Sequence, residues 1–276
     1  MSEPTMYGEP VVTVVTVNLE RDGGPNTPDG ELPPRWKDAH EILKYRRPDV
    51  LLRQEATHSG AEDHRRLKAA EELLGMRGYL TPNGVGRNPT ALFIRPETFP
   101  VHERVPYDGR FWRTPPTLVT ARLADVPEAP LLLMSWHAAF NSRQGRAREA
   151  DEITAFVDRM AKRGGLIGGG DCNEYPIPHG ETVPAVDWSK VTDWPHIHHR
   201  TTVAPDGSRV SCTHLDRALL ASGLTTRHAT PPPCTVRPAP WTRPRGTHGP
   251  IRAARSGSTA STATAGSLAH CWPSTS

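Results

Sequence analysis

The chain predicts an α/β fold, and three features of it carry that prediction. Short runs of apolar and β-branched residues, each of strand length, recur between Val11 and Leu220. Longer stretches between them carry apolar residues at helical spacing. Where the strand-like runs end, amide, carboxylate and imidazole side chains follow.

Taken in order, Val11-Val12-Thr13-Val14-Val15-Thr16-Val17 is an unbroken β-rich run and reads as a strand buried on both faces or nearly so. It ends at Asn18, ahead of the loop chemistry of Arg21-Asp22-Gly23-Gly24-Pro25-Asn26. Residues 35–46 read as a helix with Trp36, Ala39, Ile42 and Leu43 on one side, stopping before Pro48. Asp49-Val50-Leu51-Leu52-Arg53-Gln54-Glu55 is a second strand that delivers Glu55 at its exit. A helix is expected over 61–76, with Leu67, Ala70, Leu73 and Leu74 as its apolar stripe. Strands follow at 90–94, 117–121 and 131–136, and His137 comes directly after the last. Ala150, Ile153, Phe156, Val157 and Met160 place a helix over 145–163.

Leu166-Ile167 then reads as a buried strand running into Gly168-Gly169-Gly170, where a tight turn is expected, followed by Asp171-Cys172-Asn173. A carboxylate and an amide with one residue between them suit a phosphate bound near a divalent cation. The same residues are also ordinary turn formers. His214-Leu215-Asp216-Arg217-Ala218-Leu219-Leu220 reads as the start of a further strand.

Composition narrows the class. A chain of 276 residues holds one large α/β domain or two small ones, and its 29 prolines and 23 glycines call for many loops. The net charge of +3 permits an anionic substrate without demanding one. No basic segment followed by a long apolar one opens the chain, and no window approaches the roughly 18 apolar residues of a membrane span. Cys172, Cys212, Cys234 and Cys271 show neither metal spacing nor disulfide density, so a reducing cytoplasm is expected. The cluster His196, His198 and His199 has no cysteine or carboxylate at a recognised spacing to complete a metal site. Residues 1–10 read as an extension, 11–255 as the domain with an atypical part from about 225, and 256–276 as a tail without Asp, Glu, Lys or Arg, expected to be disordered.

The strand exits form an ordered set: Thr16-Val17-Asn18-Leu19, Pro48 to Glu55, Ser135-Trp136-His137, Gly170-Asp171-Cys172-Asn173 and Leu215-Asp216-Arg217. That set resembles the endonuclease/exonuclease/phosphatase family, whose fold is that of deoxyribonuclease I. The resemblance implies a four-layer α/β sandwich, two central mixed sheets face to face with helices outside. It implies a monomer that hydrolyses phosphodiesters or phosphomonoesters with Mg²⁺ or Mn²⁺, most often as a nuclease on DNA or RNA. Glu55 would be the main metal ligand with Asn18 beside it, and Asp171 would orient or deprotonate the attacking water. Asn173 would hold a phosphate oxygen, His137 would donate to the phosphate, and Asp216 would support the site. The Asp-His pair that ends the family domain has its nearest match in Thr247-His248, which aligns His248 but puts an uncharged hydroxyl where an acid orients the ring. Three readings of that departure stand: a weakened or silent member that only binds nucleic acid or phosphorylated ligands, another acid such as Asp216 serving His248, or an altered C-terminal reading frame. For a polyanion, Arg53, Arg110, Arg113, Arg143 and Arg146 are the candidate basic contacts.

Overall fold

Apolar residues on alternate positions of the central strands face two different cores, and this organises the layers. The computed structural model describes residues 12–81, 88–175, 186–228 and 267–271. Along them run β1 (Val14–Asn18), α1 (Pro34–Arg46), β2 (Val50–Gln54), α2 (Arg65–Leu74), β3 (Arg77–Leu80), β4 (Ala91–Ile94), β5 (Val101–Arg104), β6 (Thr117–Arg122), β7 (Pro130–His137) and α3 (Arg143–Met160). They are followed by β8 (Gly165–Asp171), α4 (Trp194–Arg200), β9 (Thr201–Val203), β10 (Arg209–Ser211), α5 (His214–Ala221), β11 (Thr225–His228) and β12 (Ser267–Cys271). One mixed sheet has the order β1-β2-β4-β3, the other the order β11-β12-β8-β7-β6-β5, and β9 and β10 form a separate hairpin.

Val50, Leu52, Leu92 and Ile94 of the first sheet pack against Val119, Ala121, Leu131, Leu133 and Ile167 of the second. The intervening positions of the first sheet, Leu51 and Phe93, turn outward onto Trp36, Leu43, Leu67, Ala70 and Leu74 of α1 and α2. In the second sheet Leu132, Met134, Trp136 and Leu166 turn outward onto Ile153, Phe156 and Val157 of α3 and Leu215 and Leu219 of α5. The architecture is therefore a four-layer α/β sandwich with two mixed sheets face to face. Among the described residues, no helix is long and apolar enough to cross a membrane.

Several expectations are corrected. β1 is half-buried along its length rather than buried on both faces, because it lies at the edge of its sheet among the described residues. On α1 the inward face is Trp36, His40 and Leu43, and Ile42 is exposed. Residues 214–221 are helical: Leu215 and Leu219 fall on one face four positions apart, and the run holds no β-branched residue to favour a strand. Part of the tail, Ser267–Cys271, pairs antiparallel with β8, whose free edge presents backbone donors and acceptors that must be satisfied. The rest of the tail lies outside the described residues.

The three glycines do not turn. They lie inside β8, buried, and Trp136 on the parallel neighbour β7 explains Gly168 and Gly170. A Cβ at Gly168 would come within 2.5 Å of the Trp136 ring, and one at Gly170 within 2.0 Å of the Trp136 carbonyl oxygen. Side chains there would lift β8 off β7, and Asp171 ends β8. Gly170→Ala is therefore expected to destabilise the fold by about 3 kcal/mol or more, checked by urea unfolding against an exposed control such as Gln144→Ala. A Gly170→Ala protein with wild-type stability would overturn this account.

Candidate active site

The carboxyl ends of β1 and β2 in one sheet meet those of β7 and β8 in the other. Asn18 ends β1, Glu55 follows β2, His137 ends β7 and Asp171 ends β8, so regular strands aim all four side chains at one place. The Asn18 amide stands at the centre. Its Nδ2 donates to Glu55 Oε1 at 3.2 Å and to Asp171 Oδ2 at 3.0 Å, while its Oδ1 accepts from the Glu20 backbone N–H at 2.8 Å. Glu55 Oε2 accepts from the Arg21 N–H at 2.8 Å, and Asp171 Oδ1 from the Asn173 N–H at 2.8 Å. His137 Nε2 lies 3.8 Å from Asp171 Oδ2, and its buried Nδ1 has no hydrogen-bond partner among the described residues.

The loops that hold these contacts are conformationally unusual. Glu20, Arg21 and Asp22 all take positive φ, as do Glu55 and Asn173. Such a run is uncommon outside glycine and persists only where surrounding contacts enforce it. For the first loop the enforcement is a buried network. Arg53, wholly buried on β2, donates to Asp22 Oδ1 and meets His40 Nε2 at 3.1 Å. Ser59 Oγ donates to Asp22 Oδ2 at 2.9 Å, Arg66 Nη1 donates to the Asp22 carbonyl at 2.8 Å, and His40 Nδ1 meets the Trp36 carbonyl at 2.8 Å. Burial first, and then the Arg53 charge, push the His40 imidazole down to about 3, so it is a neutral acceptor for Arg53.

A second network shapes the opposite wall. Buried Arg146 on α3 donates to the Ala139 carbonyl at 2.9 Å, to the His199 carbonyl at 2.7 Å and to Glu174 Oε1 at 3.2 Å. Glu174 Oε2 accepts from the Leu215 N–H at 3.0 Å, and Glu149 Oε2 accepts from the Ala139 N–H at 2.7 Å. Desolvation raises both carboxyls above the usual range. Arg200, at the end of α4, donates to the Phe140 carbonyl and to Asn173 Oδ1, and Asn173 Nδ2 donates to the Ala138 carbonyl at 2.8 Å.

Asn18, Glu55, His137 and Asp171, each singled out by its place after a strand, thus come together. Asn173 is adjacent, but both ends of its amide are engaged by the wall. Asp216 is buried in the first turn of α5 beside Glu174, since its backbone N–H also serves that carboxylate. Thr247 and His248 lie outside the described residues. His196, His198 and His199 sit on α4, with His196 against the Tyr175 hydroxyl at 2.9 Å. Among the described residues no three His, Cys, Asp or Glu side chains cluster as a metal-ligand set. Of the arginines read as basic contacts, Arg53 and Arg146 are wholly buried and cannot touch a polyanion. Arg200 and the backbone donor of Arg21 were missed. A cation ending a short histidine-rich helix gave no signal, and a loop N–H cannot be read from residue type.

No protein-family model and no curated protein matches the chain. Among solved structures it is similar to ANGEL2, a 2',3'-cyclic phosphatase, in complex with adenosine-2',3'-vanadate, at 16% identity over 60% of this chain and 54% of that one, with a TM-score of 0.44. It is similar to D. rerio TDP2 complexed with single strand DNA product, at 15% identity over 60% of this chain and 62% of that one, TM-score 0.43. An endonuclease/exonuclease/phosphatase family protein from Bacteroides thetaiotaomicron shares 18% identity over 59% of this chain and 62% of its own, TM-score 0.42. The chain spans 54% to 62% of the length of these three proteins.

The His40 contact sets a pH dependence. The imidazole titrates near 6.5 when unfolded and about 3 when folded, so the unfolded state binds the extra proton between those values. Stability is fully present above the unfolded value and falls as pH drops, by about 2 kcal/mol for this group between pH 6.5 and 5. Urea unfolding across that range is expected to show a shallower loss for His40→Gln, whose amide keeps one donor and one acceptor, than for the wild type. Parallel profiles would remove His40 as the source.

Proposed function

We propose that the chain is a Mg²⁺- or Mn²⁺-dependent phosphoesterase of the endonuclease/exonuclease/phosphatase type, acting on a phosphodiester in the manner of a nuclease. The observation that supports it is the meeting of Asn18, Glu55, His137 and Asp171 at adjoining strand ends of the two sheets, with two carboxylates bridged by one amide.

The donor set suits a hard cation that keeps most of its waters, because Mg²⁺ often takes only one or two protein carboxylates plus substrate phosphate. Glu55 fits as the ligand, since each of its oxygens accepts one hydrogen bond and keeps a lone pair. Asn18 fixes Glu55 through Nδ2, and its Oδ1, which accepts from the Glu20 N–H and keeps a second lone pair, stands beside it as the other candidate ligand. When bound, the metal would supply Lewis-acid stabilisation of phosphoryl charge.

The remaining roles belong to the protein. Asp171 Oδ1 is anchored by the Asn173 N–H, and Oδ2, which accepts from Asn18 Nδ2 and keeps a second lone pair, is the oxygen to orient an attacking water and take its proton. His137, an imidazole on a rigid strand end beside that oxygen, is placed to donate to a non-bridging phosphate oxygen as charge develops. Asn173 shapes the wall that faces the phosphate through Ala138 and Arg200. Asp216 supports the base of that wall, and His248, with Thr247 before it, keeps the role that the resemblance implies, acting on the nucleophile or the scissile phosphate.

Hydrolysis of bis-(p-nitrophenyl) phosphate with Mg²⁺ or Mn²⁺ tests this reading. EDTA and Glu55→Ala are each expected to abolish turnover. Asp171→Asn is expected to lower kcat about 10²- to 10⁴-fold with little change in KM. Equal rates in wild type, EDTA and Glu55→Ala would sink the enzyme reading and leave a ligand-binding protein.

A further inference from the structure

Two exposed aromatic rings flank the wall that carries Asn173, and each lies under an arginine. Phe140 is 47% exposed, three residues beyond His137, with the Arg113 guanidinium 4.6 Å from its ring centroid. Trp194 opens α4, is 61% exposed, and carries the Arg209 guanidinium 4.7 Å from its centroid. Both are joined to the candidate active site by hydrogen bonds. Arg200 binds the Phe140 carbonyl and Asn173 Oδ1 with one guanidinium. The next residue, Thr201, accepts from Arg209 at its hydroxyl, 3.1 Å, and from Arg143 at its carbonyl, 2.8 Å. Trp194 and Arg200 are six residues apart on α4, about 9 Å of helix rise.

We propose that Phe140 with Arg113 and Trp194 with Arg209 are base-stacking platforms that bind a single-stranded nucleic acid across the candidate site. This deepens the phosphoesterase reading and rests on it for the placing of the scissile phosphate. The chemistry is that of a strand whose bases are free. The guanidinium covers one face of each ring, so a base stacks on the guanidinium plane or on the ring's other face, and the guanidinium's edge meets the neighbouring phosphate. Arg143 extends the same positive border. A duplex keeps its bases paired inside and cannot use the rings.

The test is fluorescence anisotropy of a labelled dT12 strand in EDTA, where no turnover is expected, with Phe140→Ala, Trp194→Ala, the double variant, Phe140→Tyr and, as an exposed aromatic remote in sequence on α1, Tyr45→Ala. Each platform variant is expected to weaken binding about 5- to 150-fold, which corresponds to about 1–3 kcal/mol per stacked base. Phe140→Tyr is expected to keep binding, Tyr45→Ala to leave it unchanged, and the corresponding duplex to bind more weakly than the single strand. Affinity that is unmoved by Phe140→Ala and Trp194→Ala, absent in the wild type, or equal for duplex overturns the proposal. Wild-type turnover of bis-(p-nitrophenyl) phosphate is measured beside it: turnover without ring-dependent binding refutes the platforms and leaves the phosphoesterase reading standing, and the reverse result separates the two the other way.

Discussion

Two carboxylates brought together at the ends of packed strands repel one another unless something positive or hydrogen-donating stands between them. Here the Asn18 amide does so, with Glu55 on one side and Asp171 on the other. Because Asn18 and Glu55 belong to one sheet and Asp171 to the other, the Asn18–Asp171 bond clamps the mouth of the sandwich. Behind them Gln54 Nε2 donates to Ser135 Oγ, which donates to the Arg53 carbonyl, so the sheet-to-sheet bond is repeated one layer in. The spacing of the sheets at this end is therefore set by polar contacts, whereas elsewhere between the sheets it is set by Val, Leu and Ile packing. The amide nitrogen occupies a place where a positive charge would be attracted by both acids.

The buried Asp22–Arg53 pair serves position more than stability. Taking both charges out of water costs several kcal/mol per ion, and their attraction together with added hydrogen bonds does little more than offset that cost. What the pair does is hold the Glu20–Asp22 backbone at positive φ, which points the N–H groups of Glu20 and Arg21 at Asn18 and Glu55. Ser59, Arg66 and neutral His40 supply further partners, and Arg53 Nε is left without one among the described residues. Arg146 does the corresponding work across the site by tying three segments to one guanidinium.

The strands that carry the site and their four polar exits were legible in the sequence, because apolar period and the residue that follows it are local properties; the short β3, β5, β9, β10 and β11 carry no such run and were not read. Asn18, Glu55, His137 and Asp171 needed only their place after a strand. The glycine run was misread as a turn for an identifiable reason: its cause is Trp136, more than thirty positions earlier, which no local rule sees. Residues 214–221 were misread because Asp216 matched a strand-exit pattern while the leucines around it obeyed a helical one. At Asn173 the positive φ and the Nδ2 contact to the Ala138 carbonyl are features that residue type alone does not show.

The arginines show most plainly what sequence position leaves undecided. Arg53 and Arg146 carry the same side chain as Arg113, Arg143 and Arg209, yet the first two have zero exposure and face Asp22 and Glu174. A charge paired in the interior contributes little to the field outside, because its partner cancels it at distances longer than their separation. The field that an approaching polyanion meets at this end is thus set by the outer arginines. Among them, Arg113 and Arg209 are held over rings, and Arg209 Nη1 also donates to the Thr201 hydroxyl. Burial of one set and exposure of the other divides a single residue type between building the wall and presenting it.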